Sequence, residues 1–138
     1  MRRRGAQLEV SMPGSIQVSK AEGSPCIVNL MGQFHGGPVE PGEPRFTDDG
    51  TEETTQARIQ WFAQGLNKIL NKIKDDTLGV QTIAFPKGVG CGIAGGNWNR
   101  YKRQIMAFAQ NARKLHVDVY IIEKIPDDET CTVRHVQR

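Results

Sequence analysis

The chain is poor in the residue types that announce a site by themselves. Its three cysteines, Cys26, Cys91 and Cys131, are an odd number without paired spacing, which argues against a disulfide framework and against a CxxC metal site. The three histidines, His35, His116 and His135, lie far apart and lack the short spacings of zinc motifs, so no metal is expected. No stretch approaches the ~20 apolar residues that span a bilayer, and the Arg2–Arg4 start is not followed by the apolar core of a signal peptide. A cytoplasmic or nuclear setting is expected, with no membrane partner. Charge of one sign is also scarce. The net charge is +3, and the basic residues are scattered apart from Arg2–Arg4 and the group Arg100, Lys102 and Arg103, so a nucleic-acid surface is not expected.

What remains is a globular composition, 38% hydrophobic and 24% charged, over 138 residues, which is the size of one modest domain. Ser15 to Lys20 alternates Ile16 and Val18 with polar neighbours, as a short edge strand does. Cys26 to Met31 is a short apolar run of the kind found in a buried strand. Gly32 to Gly50 carries three glycines and three prolines between its ends, a composition for a long loop. Thr51, Glu52 and Glu53 then open a helix with an acid-rich first turn. Ile59, Phe62, Leu66, Ile69, Leu70 and Ile73 recur at helical spacing along it, and Lys68, Lys72 and Lys74 belong to its solvated side.

Val80 to Phe85 reads as a strand stopped by Pro86. A second helix from about Trp98 places Tyr101, Ile105, Phe108, Ala112 and Leu115 on one face, and Val117 to Ile122 is a β-branched strand. Strand, loop, helix and strand make a βαβ unit, whose expected product is a parallel pair. The fold class expected is therefore α/β, with a mixed, largely parallel sheet flanked by helices. Residues 1–126 form the domain, and 127–138 are a polar tail or an extra edge strand.

The chemistry concentrates between the βαβ strand and helix. Gly88, Gly90, Gly92, Gly95 and Gly96 fall within nine positions. Glycine allows positive φ there and lets backbone N–H groups approach an anion, and the segment feeds a helix N-terminus. A phosphate or diphosphate is the expected ligand, although glycine-rich turns also serve as plain connections. No Gly-Lys-Ser or Gly-Lys-Thr occurs, which excludes a P-loop. Gly90, Gly92 and Gly95 do fit GxGxxG, with Glu123 at the end of the next strand, so a Rossmann-like dinucleotide module is the alternative. Cys91 suits a passive small side chain better than a nucleophile elbow, because Val89 and Ile93 stand where the elbow needs small residues.

The run from Ala84 to Trp98, with Gly90-Cys91-Gly92-Ile93 at its centre, resembles the second phosphate-binding loop of macro domains. The branch it resembles contains the terminal ADP-ribose protein glycohydrolase and the ADP-ribose 1″-phosphate phosphatases. The upstream order agrees: Ile27 to Gln33, a Pro-Gly loop, then Arg58 to Phe62 on a helix. The resemblance, over roughly residues 15–123, implies a ligand-binding set of Gly88, Val89, Gly90, Cys91, Gly92, Ile93, Ala94, Gly95, Gly96 and Ile122. The segment would wrap a diphosphate and distal ribose, with Ile122 toward the adenine and the loop holding Phe34 and His35 bordering the distal ribose.

It also implies a macro-like domain in which the first strands and most of the first helix are missing. ADP-ribose or an ADP-ribosylated protein is then the partner, together with a second copy or a complementing segment at the open sheet edges. Any activity would be that of a hydrolase, an ADP-ribose 1″-phosphate phosphatase or an ADP-ribosyl hydrolase, needing no cofactor. Ala94 stands where the glycohydrolase branch has an Asp, and Gln33 and Phe34 stand where it has a Lys, so no catalytic residue is assigned. A non-catalytic interaction domain is the remaining alternative.

Overall fold

The computed structural model describes residues 12–89, 96–124 and 131–136. These residues fall into two compact units, with the boundary between Ile69 and Leu70.

The first unit begins with an antiparallel pair, β1 (Ile16–Ser19) and β2 (Ile27–Leu30), in the register Ile16 opposite Leu30 and Ser19 opposite Ile27. The turn joining them contains Gly23 at φ +78°, and the Ser24 N–H donates to the Ala21 carbonyl. The apolar run at Cys26 to Met31 is less covered than expected. β2 alternates exposed and half-buried positions, and Ile27 is 59% exposed, since β1 is its single neighbour among the described residues.

Helix α1 (Thr55–Lys74) supplies the buried side chains Ile59, Trp61, Phe62, Leu66 and Ile69 to this unit. The acid-rich first turn expected for it is not formed. Thr54 Oγ1 accepts the Ala57 N–H, so the cap sits three residues later than Thr51. Residues 51–53 are extended instead. Phe46 and Glu52 form an antiparallel bridge, and the Glu53 N–H donates to the Arg45 carbonyl. Gly65 on α1 faces Leu30 of β2 so closely that a Cβ there would lie 2.6 and 2.7 Å from the Leu30 methyl carbons. Strand and helix meet at that glycine.

The second unit holds β3 (Thr82–Pro86), α2 (Trp98–Arg113), β4 (Asp118–Lys124) and β5 (Cys131–His135) in a sheet of order β3-β4-β5. β3 and β4 pair in parallel from Thr82 opposite Asp118 to Pro86 opposite Ile122. β4 and β5 pair antiparallel. This sheet is mixed, with one parallel and one antiparallel ladder, and the β1–β2 sheet is antiparallel, so the largely parallel sheet expected is not formed among the described residues. The reason is connection length. Residues 125–130 are too few for a crossover, so the chain after β4 turns back on it.

Tyr101, Ile105, Phe108, Ala109 and Ala112 of α2 are buried, and α2 packs on β4, where Val119 and Ile121 are also buried. Phe85 of β3 meets Phe108 edge-on at 5.8 Å between ring centres. α2 ends on His116 at φ +63°, with the Val117 N–H donating to the Ala112 carbonyl in the manner of a Schellman cap. No described helix is long and apolar enough to cross a membrane.

Candidate functional site

The glycine segment leaves the sheet at the carboxyl end of β3. The Val89 N–H donates to the Pro86 carbonyl at 3.2 Å, and Gly88 has φ +80°, so Pro86 to Val89 make a turn whose third position requires positive φ. Only glycine meets that demand without strain. The Lys87 N–H donates to the Ile122 carbonyl at 2.8 Å, which fixes the start of the segment against the end of β4. Gly88, Val89 and Ile122 are half-buried and lie together at the carboxyl edge of the parallel pair. Gly96 precedes α2 at the other end. Gly90, Cys91, Gly92, Ile93, Ala94 and Gly95 lie outside the described residues.

The α2 terminus is already furnished. The Asn97 side chain accepts the N–H groups of Asn99 and Arg100 at 2.9 and 3.4 Å. Two of the amides that a helix start would offer an anion are therefore engaged by the protein's own cap. Donors for a phosphate would come from the chain ahead of Asn99, the glycines among it. The charge around the helix start still suits an anion, for the first turn of α2 carries no acid and includes Arg100. Lys87 Nζ sits 3.1 Å from Glu123 Oε2 where both side chains are more than a third exposed. Such a pair holds its lysine by at most about 1 kcal/mol.

A second constellation was not anticipated as one. Arg58 and Glu53 form an ion pair of 2.8 Å with side chains 4% and 1% exposed. The carboxylate also accepts the N–H groups of Phe34 and His35 at 2.9 and 3.0 Å. The guanidinium donates to the carbonyls of Gly37 at 2.8 Å and His35 at 3.1 Å. Burial by itself pushes the Glu53 carboxyl up, but the Phe34 amide, the guanidinium and the His35 amide together hold it below its ordinary value. The His35 ring Nε2 lies 2.9 Å from the Phe46 carbonyl, which can only accept, so Nε2 carries the proton.

Arg45 donates to the carbonyls of Gly36 and Pro38 at 3.2 and 2.9 Å. The Pro-Gly loop is thus ordered by two arginines and one carboxylate. It borders a half-open cavity of about 300 Å³ lined by Val39, Pro41, Pro44, Arg45, Glu52 and Glu53, among others. Sequence reading placed Glu53 in a helix turn and Arg58 on a helix face. Their separation of five residues is not a helical pairing distance, and that mismatch was the available signal. No group of three or more metal-ligating side chains occurs among the described residues.

No protein-family model, curated protein or solved structure matches the chain.

Proposed function

We propose that the protein binds ADP-ribose or an ADP-ribose derivative, with the diphosphate held by backbone amides of the glycine segment 88–96. The observation that carries this reading is placement: the segment leaves the carboxyl end of β3, next to Ile122 of the parallel strand β4, and enters α2. Ligands of parallel α/β units gather at that edge. The acid-free first turn of α2 and the loosely held Lys87 add a positive field there. The identity of the ligand beyond its diphosphate comes from the resemblance of Ala84 to Trp98 to the macro-domain loop, and the fold proposed is macro-like.

Hydrolysis of ADP-ribose 1″-phosphate, or release of ADP-ribose from proteins, is the enzymatic extension of this proposal. A second copy or a complementing segment at an open sheet edge belongs to the same proposal, and sedimentation with and without ligand reads it.

The test is calorimetric titration of the folded chain with ADP-ribose, with NAD as competitor and Gly92→Glu as the blocked control. Binding of ADP-ribose in preference to NAD, lost in Gly92→Glu while circular dichroism is unchanged, supports the proposal. Preference for NAD transfers the site to the dinucleotide reading, in which Gly90, Gly92 and Gly95 contact the diphosphate and Glu123 the ribose. Binding of neither ligand by the folded chain refutes both and leaves an interaction domain.

A further inference from the structure

The Pro-Gly loop has an unusual basis for its order. From Gly36 to Phe46 no residue is buried, and Phe46 is 51% exposed. The segment contributes nothing to an apolar core, yet its backbone is tied at several points. Phe34 and His35 donate to Glu53, Arg58 donates to the carbonyls of His35 and Gly37, and the Gln33 side chain adds a bond of 2.7 Å to the His35 carbonyl. All of these ties converge on one side, around Glu53 and Arg58. Glycines at positive φ, Gly37 at +79° and Gly42 at +82°, lie within the segment, with open space where a side chain would project. The far end is fixed separately, by the Glu53 N–H donating to the Arg45 carbonyl at 2.8 Å, the Phe46–Glu52 bridge, and the Thr47 N–H donating to the Thr51 carbonyl at 2.8 Å.

We propose that residues 34–44 are a hinged flap latched by the Glu53 carboxylate, and that the flap opens as a unit while the rest of the protein stays folded. Its release uncovers no fully buried side chain, Phe34 being half-buried, so the opening is governed by the polar ties. One atom group controls the set. The Glu53 carboxylate holds Phe34 and His35 directly and orients the Arg58 guanidinium that holds His35 and Gly37. When it lets go, Val39, Pro41 and Pro44 leave Glu52 and Glu53, and the cavity, all but two of whose lining residues lie from Val39 to Arg45, exists only while the flap is latched.

Native-state hydrogen exchange of the whole chain at constant pH tests this, read at the Phe34 and His35 amides and at the core amides of Ala109 and Val119 through a series of low urea concentrations. The flap amides should exchange at least tenfold faster than the core amides and show no urea dependence, the mark of an opening that exposes little surface. Glu53→Gln should accelerate the flap amides a further tenfold or more and leave them without urea dependence, and should speed tryptic cleavage after Arg45, whose guanidinium is otherwise held by Gly36 and Pro38.

A Glu53→Gln protein whose flap amides and Arg45 cleavage match the wild type overturns the latch. So does one in which the flap amides take on the urea slope of the core amides. If Glu53→Gln does not fold, the urea series on the unaltered chain decides alone: flap amides that share the urea slope of Ala109 refute the flap.

Discussion

Replacing Gly65 by Ala sets two forces of known size against each other. In a helix interior the change is favourable by about 1 kcal/mol, because alanine loses less backbone entropy than glycine. At this position the new methyl would lie 2.6 and 2.7 Å from the Leu30 methyl carbons and against Cγ as well. Cγ is the branch point, so turning one methyl aside does not clear the space. Forced overpacking costs about 1–3 kcal/mol, and three contacts this short, one of them at the branch carbon, belong to the upper half of that range, about 2–3 kcal/mol, so Gly65→Ala should be destabilising by about 1–2 kcal/mol despite its better helix propensity. For a chain of this length that lowers Tm by roughly 3–10 °C.

The sign should reverse when the obstacle is removed. In a Leu30→Ala background the clash is gone, and Gly65→Ala should add about 1 kcal/mol of stability. Urea unfolding of the four proteins gives the coupling, expected at about 2–3 kcal/mol. If Gly65→Ala stabilises the wild-type chain, or if its penalty is unchanged in Leu30→Ala, then β2 does not rest on α1 at Gly65 and the account of the first unit is wrong.

Glu53 makes stability depend on pH with a defined sign. Its folded pKa lies below the ordinary value of 4.5, so its contribution is complete above that value and is lost as pH falls through the lowered folded one. Thermal melts in steps from pH 7 downward should show this loss in the wild type, while Glu53→Gln, less stable at pH 7 by about 3 kcal/mol, should lack that component. A mutant with the same acid dependence as the wild type would remove Glu53 from the account. At the end of α2, His116→Gly relieves a left-handed φ of +63° and should raise stability by about 0.5–1 kcal/mol in urea titration. Asp76→Gly, at φ +61°, should gain less, since Asp tolerates that conformation better.

The parts of the fold that could be read from residues are those where a periodic pattern and a stop signal coincide. α2 shows this best. Tyr101, Ile105, Phe108 and Ala112 fix its face, and Asn97 is a cap whose side chain reaches two amides. α1 was legible in its apolar spacing but not in its start, because Thr51 and Thr54 are equally good caps in sequence. Glu53 decides between them. A carboxylate two residues after Thr51 looks like a dipole partner, but here it is claimed by Arg58 and two loop amides, so the helix begins after it. The direction of β5 depended on a length, residues 125–130, that rules out a crossover, and weighing that length would have corrected the sheet.

The two candidate sites differ in legibility for the same physical reason. A glycine segment works through its backbone, and the need for positive φ and close approach writes itself into the sequence as glycine. Gly88 at φ +80° is one position where that need is met. A latch of the Glu53 and Arg58 kind works through side chains that accept or donate to carbonyls and amides of any residue, so Phe34, His35 and Gly37 need no special identity to be held. Only the two charged residues carry the information, and their spacing points away from the helix that contains one of them. The cap at Asn97 shows the converse cost of reading the backbone alone. A helix start seen in sequence offers open amides to an anion, but Asn99 and Arg100 already give theirs to Asn97, so the proposed diphosphate would have to be met by amides ahead of Asn99, and Gly92→Glu is a sharper probe of binding than a change at either of those two residues.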